Sequence, residues 1–451
     1  MSGPSKLKEK DLTTGDNIAS QIVRLALPIL GTSFVQMLYN FTDMAWLGRL
    51  SSEAVSAVGA VALYGWLAGS LGLLTKVGSE ITIAYFLGKK EFKTASHYAS
   101  TNSTIAFLSG ALVTILFLLF TPPLLSIYTL GDSIARTAAE YMRIYSLGFP
   151  FFFMTYAFTG AYNACGHSKR PFMINSIGLI ANIILDPIFI FVLDLKTDGA
   201  AYATIISEIL VWVLFYYFLR ERDHLLGRFP FVTKLKWETC RRIIKIGAPP
   251  SAQSALFAFI NMYMGRIASL TAGHIGVLSI TSGGQIEGIT WNTAQGFSTA
   301  LGAFISQNYA AQAMDRVKKA FRSTLIITSL FGVFTTILYV FFGEEIFAII
   351  VPDPVAYIAG GVYLRINGFS QLFIMLEITT QGFFHGIGRS TIPAAVSIFG
   401  NLVRIPLAYT ILYFYPSIEG LWYAIAISTT LKGLTLFYIH LRVQRSLVAP
   451  E

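Results

Sequence analysis

The chain has 451 residues, of which 54% are hydrophobic and only 13% charged, and its formal net charge is +9. Soluble domains are about one quarter charged; here the deficit runs along the whole chain and the mean hydropathy is +0.61, which excludes a soluble globular fold. Short alternating segments of about 10 residues, the mark of a membrane β-barrel, are also missing.

The N-terminal tail, 1–20, is polar and basic with no h-region or cleavage site, and reads as a cytoplasmic tail rather than a signal peptide. Apolar runs able to cross a hydrocarbon core of roughly 30 Å follow at 22–48, 54–86, 95–120, 133–164, 171–195 and 198–220, then at 242–270, 273–306, 318–341, 355–386, 391–415 and 418–441. Twelve spans predict an all-α polytopic membrane protein. The basic stretch 221–241 divides an N-lobe (21–220) from a C-lobe (242–441), and 442–451 forms a C-terminal tail. Lys and Arg cluster in alternate loops: Lys89, Lys90 and Lys93; Lys169 and Arg170; Arg220 to Lys245; Arg316, Lys318, Lys319 and Arg322; and Arg389. That positive-inside pattern places both termini in the cytoplasm of a cell (inner) membrane protein, and it assigns the net charge to topology rather than to nucleic acid. Cys165 and Cys240, at cytoplasmic helix ends, are expected to be reduced and unpaired.

Within the spans, charged and amide groups are costly and carry information, since a carboxylate near the bilayer centre costs about 2.5–3.5 kcal/mol on insertion scales. Span 1 holds Pro28 and a polar sector of Gln36, Tyr39, Asn40 and Asp43. Tyrosine and amides beside an acid suit an organic cation. Lys76 and Glu80 on span 2 read as a local pair. Span 5 contains "NIILDP", Asn182 to Pro187, and the spacing of Asn175, Asn182 and Asp186 predicts one stripe. Pro187 has no N–H to give the carbonyl of Ile183, so an amide, a carboxylate and a free carbonyl make an oxygen-rich cluster fit for a proton or Na⁺. Depth counting at about 1.5 Å per residue brings Asp43, Asp186 and Thr204 of span 6 to one level in the outer half. Later, Glu287, Glu377, Arg404 and Lys432 lie within spans 8, 10, 11 and 12, either pairing off as structural bridges or contributing to substrate binding.

The chain also repeats. "GHSKRP" (166–171) is echoed by "GRSTIP" (388–393), "NIILDP" by "NLVRIP" (401–406), and "DGAAYATIIS" (198–207) by "EGLWYAIAIS" (419–428). Arg24 and Pro28 correspond to Lys245 and Pro249, all at a spacing of roughly 220 positions, which marks an internal duplication. Six spans per half make the halves parallel repeats, a transporter plan. Where the first half has Asp186 the second has Ile405, so the chemistry falls in one half only. No Walker lysine loop, metal-spaced His or Cys cluster or nucleophile–base pair is found, so neither an enzyme nor an ATP-driven pump is expected.

With "YNFTDMAWLGRL", "GAYNACGHSKRP", "ANIILDP", "GAAYAT", "ISQNYAAQAMDRVKKA" and "GFFHGIGRSTIP" in this order, residues 20–440 resemble the MATE (multidrug and toxic compound extrusion) family, in its DinF-like prokaryotic branch. The resemblance implies two six-helix lobes forming a V and export of organic, often cationic, compounds in exchange for Na⁺ or H⁺. In that branch coupling is associated with an N-lobe set that Asp43, Asn182, Asp186 and Thr204 match. The branch that couples Na⁺ through C-lobe acids has a Glu on helix 7, where this chain has Gln253. Substrate contacts are then expected at Gln36, Tyr39, Asn40, Asn175, Gln253 and Glu287, and bending at Pro28 and Pro187. Small organic substrates and membrane lipid are the expected partners of a single working chain, with no cofactor beyond the coupling ion. The alternative is a lipid-linked precursor flippase of the same superfamily, for which several cavity Arg and Lys would be expected.

Overall fold

The computed structural model describes residues 10–126 and 131–445, apart from the side chains of Asn40 and Ser52. The helices are α1 (Ile18–Leu50), α2 (Ser52–Gly88), α3 (Phe92–Leu125), α4 (Asp132–Ser146), α5 (Phe149–Ala164), α6 (Lys169–Pro187), α7 (Lys196–Tyr217), α8 (Trp237–Ala310), α9 (Met314–Ile350), α10 (Pro354–Gly368), α11 (Gln371–Gly386), α12 (Thr391–Phe414) and α13 (Ile418–Arg445). No strand occurs among the described residues. Nine of these helices are long and apolar enough to cross a membrane. The twelve expected spans map onto them for two reasons. First, α8 contains two spans that meet at a kink, where Ala272 (φ −137°) and Gly273 (φ 58°) leave helical geometry. Second, spans 4 and 10 are each broken in two, at Leu147–Gly148 and at Phe369–Ser370.

These two breaks occupy equivalent places in the two halves, so the duplication extends to backbone irregularities. The echoed "GHSKRP" and "GRSTIP" have the same explanation. His167 N–H reaches the Tyr162 carbonyl at 2.9 Å and Gly166 N–H that of Asn163 at 2.9 Å; Arg389 and Gly388 do the same to Phe384 and His385, both at 2.8 Å. This is a Schellman cap, which needs a left-handed residue after the helix, and Gly166 (φ 77°) and Gly388 (φ 74°) supply it.

The chain divides into two compact units, one made of Met1–Thr14 with Leu27–Ser251 and the other of Gly15–Ala26 with Ala252–Glu451. The divisions fall inside α1 and α8, next to Pro28 and next to Pro249–Pro250. In unit 1 the basic stretch after α7 is packed, with Leu225, Leu226, Phe229 and Phe231 entering the core beside Phe158 and Phe215. Each such burial contributes about 1.5–3 kcal/mol. Asp223 fixes the turn by accepting from Arg170 Nε at 2.9 Å, Arg170 Nη2 at 3.0 Å and the Tyr162 hydroxyl at 2.9 Å. Unit 2 has its own core around Trp422, Tyr363, Leu421 and Phe347, with Trp422 edge-on to Tyr363 at 4.8 Å. Outward faces are apolar at helical spacing: Leu330, Phe334, Ile337 and Phe341 of α9 are 67, 55, 48 and 71% exposed. A stripe of that kind suits lipid, not water.

Lys76 and Glu80 interact electrostatically, as expected, while each also has another partner. Lys76 Nζ lies 5.8 Å from the centre of the Tyr156 ring, and Glu80 accepts from Asn163 Nδ2 at 3.4 Å. Cys165 and Cys240 are both buried, and neither is in a disulfide.

Close approach of α2 and α5 depends on Gly160, where an added Cβ would fall 2.4 Å from the Lys76 carbonyl oxygen. Overpacking of this kind costs about 1–3 kcal/mol, so Gly160→Ala should lower the thermal midpoint of the detergent-solubilised protein. An unchanged midpoint in a fluorescence melt would mean that the helices are not this close.

Candidate functional site

On α6, Asn182 and Asp186 stand four residues apart and therefore share a face. Both are fully buried, and Asn182 Nδ2 donates to Asp186 Oδ1 at 3.2 Å. The helix stops being α-helical at Pro187 and continues as one π-helical turn, Ile188–Val192. Pro187 offers the Ile183 carbonyl no N–H, and the next amide, that of Ile188, goes to Leu185. Irregular backbone at membrane depth is tolerated where it is enclosed by protein or lines a cavity.

From α1, Asp43 brings its carboxylate against the side chains of Asp186, Asn182 and Thr204. Thr204, on α7, donates its single hydroxyl proton to the Ala200 carbonyl at 2.9 Å and so offers the cluster only lone pairs. The Tyr39 hydroxyl closes the inner side, 3.5 Å from the Thr204 carbonyl oxygen. The four residues expected to form a cation-coupling set are thus brought together, entirely within unit 1.

The chemistry of the cluster follows from what its oxygens lack. Asp43 Oδ1, Asn182 Oδ1 and Asp186 Oδ2 are buried and receive no hydrogen bond. Two carboxylates in contact, surrounded by acceptors, cannot both stay bare in a low-dielectric setting. A proton shared between them answers the two carboxylates, and a hard cation coordinated by carboxylate, amide and hydroxyl oxygens would answer all three atoms. The donor set therefore fits H⁺ or Na⁺. Among the described residues no group of three or more His, Cys, Asp or Glu stands ready for a transition metal.

The expected substrate residues are placed as follows. Tyr39 is buried beside the cluster and Gln36 is exposed, while the side chain of Asn40 lies outside the described residues. Asn175 does not join Asn182 and Asp186. Its Nδ2 donates to the Pro171 carbonyl of its own helix at 2.7 Å, and the nearest member of the supposed stripe is two turns, about 10 Å, away. Gln253 and Glu287 belong to unit 2. Gln253 Oε1 is buried without a donor. Glu287 accepts from the Tyr363 hydroxyl and from Gln371 Nε2, each at 2.6 Å. At the positions of Asp43, Asp186 and Thr204 in the repeat, unit 2 carries Met264, Ile405 and Ile425.

The other buried charges of unit 2 are also committed to partners. Lys432 Nζ lies 3.3 Å from Glu377 Oε2, whose other oxygen accepts from Ser397 at 2.5 Å and Gln381 at 3.2 Å. Arg404 donates to Ser428 at 3.0 Å and Thr429 at 3.2 Å. One further acid, Glu208 of α7, is not among the residues that the sequence pattern singled out. Its signal was a carboxylate one turn from Thr204 in the apolar run "TIISEILVW".

Residues 28–188 and 249–410 match the MatE family model. The chain is 26% identical over 419 residues, 90% of its own length and 88% of the relative's, to a probable multidrug resistance protein, NorM, of Thermotoga maritima. It is likewise 26% identical over 416 residues, 88% of each protein, to a probable multidrug resistance protein, YoeA, of Bacillus subtilis. Its fold superposes with a TM-score of 0.90 and 23% identity on a MOP superfamily transporter from Pyrococcus furiosus, covering 98% of this chain and 99% of that one.

The Lys432–Glu377 pair generates a stability prediction. Removing one partner of a buried ion pair costs about 3–5 kcal/mol, whereas replacing both with apolar groups is often neutral. Lys432→Met should destabilise unit 2, and adding Glu377→Leu should restore much of the loss. A double variant melting as low as the single one would contradict the pairing.

Proposed function

The chain belongs to the MatE family of transporters, and from that premise we propose that it is a secondary antiporter exporting organic, cationic or amphipathic compounds in exchange for H⁺ or Na⁺. The observation that carries this reading is the convergence of three donorless buried oxygens, from Asp43, Asn182 and Asp186, in the unit that also holds Tyr39 and Thr204. Loading the cluster with a proton or Na⁺ neutralises it and weakens its hold on a cationic substrate. Losing the ion restores the negative charge and the affinity. Exchange follows when the two events are open to opposite sides of a cell membrane. Bending at Pro28 and at the Pro187 π-turn is the proposed means of changing which side the cluster meets. The alternate basic loops support cytoplasmic termini, and a single chain suffices because every member of the cluster belongs to one unit.

The test uses proteoliposomes loaded with a fluorescent organic cation, with inward Na⁺ and H⁺ gradients imposed separately. One gradient should drive efflux, and Asp186→Asn should reduce it at least ~10-fold, the order expected when a charged partner is removed from a hydrogen-bonded site. Equal efflux from both proteins would remove Asp186 from coupling. No efflux under either gradient, across several dyes, would contradict antiport and favour the flippase.

A further inference from the structure

Two rows of side chains line one cavity of unit 2, about 310 Å³ in volume, where α9 begins and α13 ends. On α9 the row is Lys318, Phe321, Arg322 and Leu325, with Lys319 beside it. On α13 it is Phe437, His440, Leu441 and Gln444. Both rows follow the i, i+3, i+4, i+7 spacing of a single helix face. The two helices belong to an odd-numbered and an even-numbered span and so run in opposite senses. Lys318, Arg322 and Gln444 therefore gather at the outer end of the groove, and Leu325 and Phe437 lie deeper. His440 is only 1% exposed. Phe321 and Phe383 hold its ring, with centroids 3.9 and 4.3 Å away, and its Nδ1 has no hydrogen-bond partner.

Lys318, Lys319 and Arg322 are exposed, and none of them is in an ion pair among the described residues. The internal repeat separates these cations from the charge that topology requires. Lys90 (φ 61°) and Gln312 (φ 60°) mark the same turn before α3 and before α9. In that register Lys318, Lys319 and Arg322 correspond to Ser96, His97 and Ser100 of unit 1, whose own basic residues stand earlier, at Lys89, Lys90 and Lys93. Orientation across a membrane needs positive charge near the span ends; it does not need that charge set over an apolar groove. From Arg322 the ridge continues in four-residue steps through Ile326, Leu330 and Phe334, which are 51, 67 and 55% exposed. Cations at the mouth and an apolar ridge below are complementary to a molecule with an anionic head and hydrocarbon tails.

We propose that this groove binds one anionic phospholipid, with its phosphodiester among Lys318, Lys319 and Arg322 and its acyl chains along the α9 ridge. Arginine matches phosphate oxygens with two parallel donors, and lysine adds a compact point charge. Gln444 supplies a neutral polar group at the same end for a glycerol headgroup. Basic pockets between transmembrane helices suit such headgroups. The groove belongs to unit 2 and the ion cluster to unit 1, so the proposal does not rest on the antiport reading.

The test titrates the purified full chain in detergent with phosphatidylglycerol bearing a pyrene-labelled acyl chain, read by energy transfer from tryptophan. Phosphatidylcholine with the same chains should bind at least ~10-fold more weakly. The double variant Lys318→Gln, Arg322→Gln should lose at least ~10-fold in phosphatidylglycerol affinity while binding phosphatidylcholine as before. Lys318→Arg with Arg322→Lys, which keeps both charges, should retain most of the affinity. Removing the cations of unit 1 instead, by Lys89→Gln, Lys90→Gln and Lys93→Gln together, should change it less than ~2-fold, because screened charge at a distance contributes little. Equal binding of the two lipids by wild type would overturn the assignment. So would an equal loss in the unit 1 variant, the sign of diffuse attraction, or a loss of both lipids in the double variant. Displacement of the labelled lipid by glycerol phosphate as readily as by unlabelled phosphatidylglycerol would also overturn it, and would make the groove a site for a soluble phosphate ester.

Discussion

Hydrocarbon solvates neither a carboxylate nor an unpaired amide oxygen, so every polar atom placed at membrane depth must be answered from within the protein or by something that the protein binds. Most of this chain obeys the first option. Glu287 is held by Tyr363 and Gln371, Glu377 by Lys432, Ser397 and Gln381, and Arg404 by two hydroxyls. The cluster of Asp43, Asn182 and Asp186 is different, because two carboxylates meet there and three buried oxygens of the one cluster receive no protein donor. A site that the protein leaves short of positive charge is one that an exchangeable cation can enter and leave.

The duplicated scaffold makes that contrast interpretable. The two halves share their Schellman caps, their broken fourth and tenth spans and the proline near the point where the chain passes between units. They part at the polar positions, where unit 1 has Asp43, Asp186 and Thr204 and unit 2 has Met264, Ile405 and Ile425. Backbone geometry has been kept twice because helix ends, breaks and close approaches serve packing in both units. The acid cluster stands in unit 1 alone, whereas the buried charges of unit 2 are paired within the protein.

Much of the fold was legible because apolar length and alternating basic loops are direct consequences of the bilayer. Asp43, Asn182, Asp186 and Thr204 could be grouped from helix spacing and depth, and the side chains do meet. What stayed hidden was of three kinds. Two-residue breaks such as Leu147–Gly148 leave the hydrophobic run intact and give periodicity nothing to detect. Spacing overreached at Asn175, because two helical turns preserve a face but not a contact, and a short amide side chain turns readily to its own backbone. Partner choice in unit 2 depends on which helices are neighbours, so the sequence supplied the inventory of charges and not the pairing of Glu377 with Lys432. Glu208 carried the same signal as Asp186, an acid in an apolar run, but without an amide or proline beside it to draw notice.

The central claim is that Asp43 and Asp186 hold an ion that an organic cation displaces. It is tested most directly by adding tetraphenylphosphonium to weakly buffered, detergent-solubilised protein while following pH with an indicator and, in parallel, bound ²²Na⁺. The account predicts that one ion species leaves wild-type protein on cation binding, and that none leaves when both Asp43 and Asp186 are changed to Asn. Cation binding that displaces neither H⁺ nor Na⁺ from wild type would contradict it.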